Sequence, residues 1–181
     1  MHMNRRTAFK QLLFVSAGAA LIPACMQDKN KASVILKNFS ITAGQEQLLA
    51  ELAETIIPKT DTPGAKDISA HLFALKMIDD CSSKEDQDKF LKGLTAFESY
   101  SNKQLGKSFT AATATERGKV LTELETQKDK DQKDDAAQFY GTVKKLTVHA
   151  YTSSQFYLTK VQVYELVPGR YHGCVPVKAG A

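Results

Sequence analysis

Apolar residues recur at helical spacing through most of the chain. Leu48, Leu49, Leu52, Ala53, Ile56 and Ile57 fall on one face of a helix. Thr42-Ala43-Gly44-Gln45 reads as its capping box and Pro58 as its end. A second helix is expected from a cap at Asp67 to about residue 80, with Leu72, Leu75 and Ile78 inward. Ser83 and Asp86 open a third, which carries Phe90, Leu94 and Phe97 and stops at Gly106. Thr113-Ala114-Thr115-Glu116 is another capping box, ahead of Val120, Leu121 and Leu124. The charge run over 128–135 reads as a solvated linker. A last helix is expected over 135–151, with Phe139, Val143, Leu146 and Ala150 inward. Residues 59–66 read as a turn segment, with Pro63-Gly64 suited to a type II turn.

Two segments break this pattern. Residues 152–177 lose the helical period and carry Phe156, Tyr157, Tyr164 and Tyr171, with Pro168-Gly169 near the end. Val161, Val163 and Tyr164 could form a short extended piece. That much aromatic surface either wraps the helical body or docks on another chain. At the other end, Arg5-Arg6 precede an apolar stretch over 12–24 that ends at Cys25. The stretch is shorter than a membrane span and holds Ser16, Gly18 and Pro23, so it reads as a cleavable signal. The paired arginines suggest the twin-arginine route, which carries folded proteins. Ile22-Pro23-Ala24-Cys25 resembles a lipobox, which would leave a lipid on Cys25 and hold the chain at a membrane face. The resulting division is a signal over 1–24, a tether over 25–40 and a helical domain over 41–177. The fold class is all-α: a small bundle of about five helices with a long irregular aromatic tail, preceded by a cleavable signal.

Composition changes the picture mainly through charge. Removing residues 1–24 takes away Arg5, Arg6 and Lys10 but no acid, which lowers the formal charge from +4 to +1. A near-neutral domain excludes nucleic acid as the expected partner. With Cys25 lipidated, Cys81 and Cys174 remain, either bridged in an oxidising compartment or as two free buried thiols.

No catalytic, cofactor-binding or metal-ligating residues can be named from the sequence. His71, His149 and His172 stand alone, without the i, i+4 pairing of a helical metal site. There is no Cys-x-x-Cys-His for covalent haem, no glycine-rich phosphate loop and no Gly-x-Ser-x-Gly elbow. Asp61 and Asp67 do not have the spacing of an EF-hand loop.

Two stretches, Glu54-Thr55-Ile56-Ile57-Pro58-Lys59-Thr60-Asp61-Thr62-Pro63-Gly64-Ala65 and Tyr164-Glu165-Leu166-Val167-Pro168-Gly169-Arg170-Tyr171-His172-Gly173-Cys174-Val175-Pro176, together with the signal, resemble the gluconate 2-dehydrogenase subunit 3 family. The resemblance runs from about residue 41 to 177. It implies a small subunit without a cofactor of its own, bound to a large FAD-dependent dehydrogenase of the glucose-methanol-choline type. Substrates of such complexes are sugars, sugar acids or polyols, and electrons pass to a haem-bearing cytochrome c subunit or to quinone. The small subunit would help the flavoprotein mature and cross the membrane, and the complex would face the periplasm, held there by the lipid. Candidate partner contacts are Thr60, Asp61, Pro63 and Gly64 in the turn segment, and Tyr151, Tyr157, Tyr164, Pro168, Gly169 and Tyr171 in the aromatic tail. The residues also admit an independent lipoprotein acting as chaperone or scaffold, or a free-standing enzyme.

Overall fold

Thr42 opens the first helix, α1 (Ala43–Ile56), by the exchange its sequence implies: its hydroxyl accepts from the Gln45 N–H at 3.2 Å and the Gln45 side chain accepts from the Thr42 N–H at 3.0 Å. The computed structural model describes residues 30–130 and 134–162, with Gly169 and Cys174. Arg5, Arg6, Cys25, Tyr164, Pro168 and Tyr171 lie outside the described residues.

The other helices start and stop on equally local chemistry. In α2 (Ala70–Cys81) the apolar positions Ala74, Leu75 and Ile78 are buried. α3 (Lys84–Leu105) is capped by Ser83, whose hydroxyl accepts from the Asp86 N–H, and ends at Gly106 in the left-handed region with φ +66°. A 3-10 turn (Phe109–Ala111) leads to α4 (Ala114–Lys130), where Thr113 and Glu116 make the second capping box. The Asp134 carboxylate accepts from the N–H groups of Ala136 and Ala137 and opens α5 (Asp135–Thr152). Among the described residues there is no β-strand, and no helix is long and apolar enough to cross a membrane.

Among the described residues, α5 lies at the centre and touches each of the other four α-helices. Its closest seam is with α3, where a Cβ added to Gly93 would lie 2.7 Å from the Phe139 Cβ. Phe139 then meets Phe90 and Phe97 at centroid distances of 5.1 and 5.5 Å, and Phe97 meets Phe109 edge-on at 5.2 Å.

Four expectations are corrected. Asp67 is not a cap: the chain turns through residues 65–69, Ser69 takes a left-handed φ of 57°, and α2 starts at Ala70. The Asp67 carboxylate is drawn instead to the Gly64 N–H and Lys59. The charge run over 128–135 is not all linker, since α4 continues to Lys130 and α5 begins at Asp135; no glycine or proline there opposes a helix. Val161 is not extended but closes a π-helical turn (Tyr157–Val161).

The fourth concerns the segment before α1. Residues 32–40, read as the end of a tether, form with Ile41 an arm laid along the bundle. Ala32, Val34 and Leu36 pack partly buried against the core while Ser33, Ile35 and Lys37 face outward, and Phe39 and Ile41 are buried. Asp79, fully buried on α2, accepts from the backbone N–H groups of Lys37 and Asn38, each at 2.8 Å. Glu46 on α1 accepts from the Ser33 N–H and hydroxyl.

Candidate partner-docking surface

The loop after α1 is shaped by one carboxylate. Pro58 has no N–H to continue the helix, and the chain turns away with its next donors aimed back at Glu54 in the last turn. Glu54 Oε1 accepts from the Lys59 N–H and Oε2 from the Lys66 N–H, both at 2.9 Å. Gly64 passes between these two points. A Cβ there would lie 2.5 Å from both Glu54 oxygens and 2.7 Å from the Lys59 nitrogen. Gly64 does not have positive φ, so the expected type II turn at Pro63-Gly64 is not formed; glycine is needed here for close approach.

Four further contacts finish the loop. Ala65, fully buried, donates its N–H to the Ile57 carbonyl at 2.9 Å. Asp67 accepts from the Gly64 N–H at 3.2 Å and pairs with the Lys59 ammonium at 3.1 Å. Lys59 first and the Gly64 N–H second hold the Asp67 carboxyl below the ordinary carboxylate range. From the far end of α5, the Tyr151 hydroxyl donates to the Pro63 carbonyl at 3.0 Å. Beyond these anchors Thr60, Asp61 and Thr62 stand exposed.

The second half of the loop is tied into the body through Glu51 on α1, which takes the Lys66 ammonium at 2.6 Å and the Arg117 guanidinium. Arg117 also donates to the carbonyls of Phe109 and Thr110. Burial opposes ionisation of Glu51, but Lys66 and Arg117 outweigh it and keep its carboxyl below the ordinary range.

Tyr151 joins the two surfaces that the sequence offered separately. Its ring meets Phe156 at 6.3 Å and Tyr157 at 6.1 Å, both edge-on, at the start of the C-terminal segment. Between loop and segment lies an open groove of about 580 Å³, with Pro63, Ile68, Phe73, Ala150 and Phe156 as its apolar lining and Asp67 and Ser153 among its polar groups. Thr60, Asp61, Pro63, Tyr151 and Tyr157 thus gather at one end of the molecule. Gly64 belongs to the scaffold, since it is buried under the loop. Gly169 is exposed.

Glu54, Ile68, Phe73 and Phe156 complete this surface and were not picked out as site residues from sequence. A carboxylate one turn before a helix-ending proline was the available signal for Glu54, because it faces the chain that leaves the helix. The other polar candidates lie elsewhere. His71 is half-buried, its Nδ1 has no hydrogen-bond partner among the described residues, and burial pushes its pKa down. His149 is exposed, with its ring 5.5 Å from that of Phe73. Cys81 and Cys174 are both exposed free thiols, so the bridge weighed for them is not formed here. Among the described residues no group of three or more His, Cys, Asp or Glu side chains is placed to hold a metal ion.

The family profile described as gluconate 2-dehydrogenase subunit 3 matches residues 43–169, more than half of the chain. The chain belongs to the gluconate 2-dehydrogenase subunit 3 family. The matched span takes in the five α-helices of the described residues, the Glu54-held loop and Tyr151. No curated protein and no solved structure matches. Membership of a family named for the third subunit of a dehydrogenase implies a dehydrogenase partner.

Proposed function

We propose that this chain is the non-catalytic small subunit of a membrane-associated, FAD-dependent sugar, sugar-acid or polyol dehydrogenase. It aids export and maturation of the flavoprotein and stays bound to it afterwards. Family membership carries this reading. The geometry supports it: the exposed loop tip and the aromatic start of the C-terminal segment share one end, joined by the Tyr151–Pro63 hydrogen bond. FAD belongs to the large, glucose-methanol-choline type partner, and haem to a cytochrome c subunit that accepts its electrons.

The export role rests on Arg5-Arg6 ahead of the apolar stretch. Flavin is held by a folded pocket, so a flavoprotein loaded in the cytoplasm must cross the membrane folded. A bound small subunit with a twin-arginine signal supplies the address, and a lipid on Cys25 keeps the complex at the periplasmic face of the membrane. The test is to express Arg5→Lys with Arg6→Lys and fractionate the cells. Both this chain and a yellow flavoprotein that co-purifies with the wild type should stay in the cytoplasm. Normal export of the flavoprotein in that variant would refute the hitchhiking role.

A further inference from the structure

Asp61 is the charged group of the loop that the fold leaves unused. It is exposed and has no hydrogen bond or ion pair with a described residue. The two neighbouring lysines are engaged elsewhere, Lys59 with Asp67 and Lys66 with Glu51. Thr60 and Thr62 flank it, their hydroxyls 3.3 Å apart, and the Thr60 N–H donates to the Thr62 carbonyl at 3.0 Å. The tip is therefore a fixed, acidic, hydroxyl-bearing projection held from below by Glu54, Asp67 and Tyr151. Beside it opens the groove with Phe73 and Phe156 in its lining. An apolar recess with a polar rim is the usual anatomy of a protein–protein hot spot. A loop already locked in shape loses little conformational freedom on docking.

We propose that this end of the molecule is a preformed socket for the flavoprotein subunit: Asp61 receives an arginine or lysine of that partner, and the groove receives an apolar side chain next to it. The socket rests on the reading of the chain as a dehydrogenase small subunit and names the contact that reading leaves open. Charge complementarity selects the basic group, because nothing described in this chain balances Asp61. A planar guanidinium would serve best, since it can bond both carboxylate oxygens at once.

The experiment uses the tagged full-length chain, co-expressed with the flavoprotein that co-purifies with it and extracted from membranes. Flavin absorbance per tagged chain measures retention. Asp61→Lys should lower retention about tenfold or more, as like charges then face each other, and Asp61→Asn should lower it less. Raising the salt should weaken the wild type more than Asp61→Asn. Phe156→Ser should also lower retention, while Asp88→Lys, on the exposed face of α3, should not. Thermal melting of each free variant checks that the fold survives. Full retention by folded Asp61→Lys and Phe156→Ser would overturn the socket and leave the dehydrogenase reading intact. A wild-type chain that holds no flavoprotein would overturn that reading, and the socket with it.

Discussion

Residues 32–41 and residues 57–69 are both irregular backbone, and in each a single carboxylate on a neighbouring helix accepts two backbone N–H groups. Asp79 on α2 takes those of Lys37 and Asn38; Glu54 on α1 takes those of Lys59 and Lys66. The difference is where the side chains go. The arm sends Val34, Leu36, Phe39 and Ile41 into the bundle, and Phe39 meets Phe90 at 6.2 Å. The loop buries Ala65 but leaves Thr60, Asp61 and Thr62 in solvent. Fixing backbone costs entropy of about 1–2 kcal/mol per residue. In the arm, apolar burial offsets that cost. In the loop tip no comparable burial is gained within the chain, and its shape rests on the polar bonds to Glu54, Asp67 and Tyr151.

The contrast breaks most visibly at Phe39. Phe39→Ala should cost about 3–5 kcal/mol in urea unfolding, as for other buried phenylalanines. Asp61→Ala and Thr62→Ala, on the exposed tip, should stay within about 0.5 kcal/mol. Comparable losses at both places would mean that the tip is part of the core after all. Gly64→Ala comes next. Its methyl would press on both Glu54 oxygens, and overpacking of this kind costs about 1–3 kcal/mol. Hydrogen exchange at Lys59 and Lys66 should speed up in that variant while Lys37 and Asn38 keep their protection. Tyr151→Phe removes the hydroxyl that donates to the Pro63 carbonyl and, at 3.5 Å, to the Thr62 hydroxyl, and should cost about 0.5–1.5 kcal/mol in the same unfolding experiment.

Acid has the mildest effect near neutrality and separates the arm further. Burial opposes ionisation of Asp79, but the N–H groups of Lys37 and Asn38 and the Lys76 ammonium outweigh it and hold its carboxyl below the ordinary range. A depressed folded-state pKa means that the clamp's stabilisation is full above the ordinary carboxylate range and is lost as pH falls through the folded value. The stability difference between wild type and Asp79→Asn should therefore shrink as the pH is lowered from neutrality toward that value. A difference that grows on acidification would contradict the sign.

Local chemistry was legible in the sequence and tertiary chemistry was not. Thr42, Ser83, Gly106 and Thr113 act where the sequence places them, because a cap involves only the residues within one turn of it. The inward faces of α1, α3, α4 and α5 also follow from spacing alone. Asp67 looked like a cap by the same local rule, but the Gly64 N–H and Lys59 compete for its carboxylate. Gly64 looked like a turn residue, yet its reason lies ten residues away in Glu54. The arm looked like a tether because its apolar run, Val34-Ile35-Leu36, is only three residues long between Ser33 and Lys37, too brief and without the alternation that marks a strand, and the carboxylate that fixes it lies on a helix of the bundle. The loop and the aromatic residues after α5 were both named as contact candidates, but their meeting through Tyr151 depends on how α1, α2 and α5 pack.

Amide hydrogen exchange on the chain alone and in its complex with the flavoprotein tests most directly whether the loop end serves a partner. New protection in the complex should concentrate at residues 59–66 and 153–158, with the arm over 33–41 unchanged. Protection that appears on the arm and leaves residues 59–66 and 153–158 exchanging as in the free chain would contradict it.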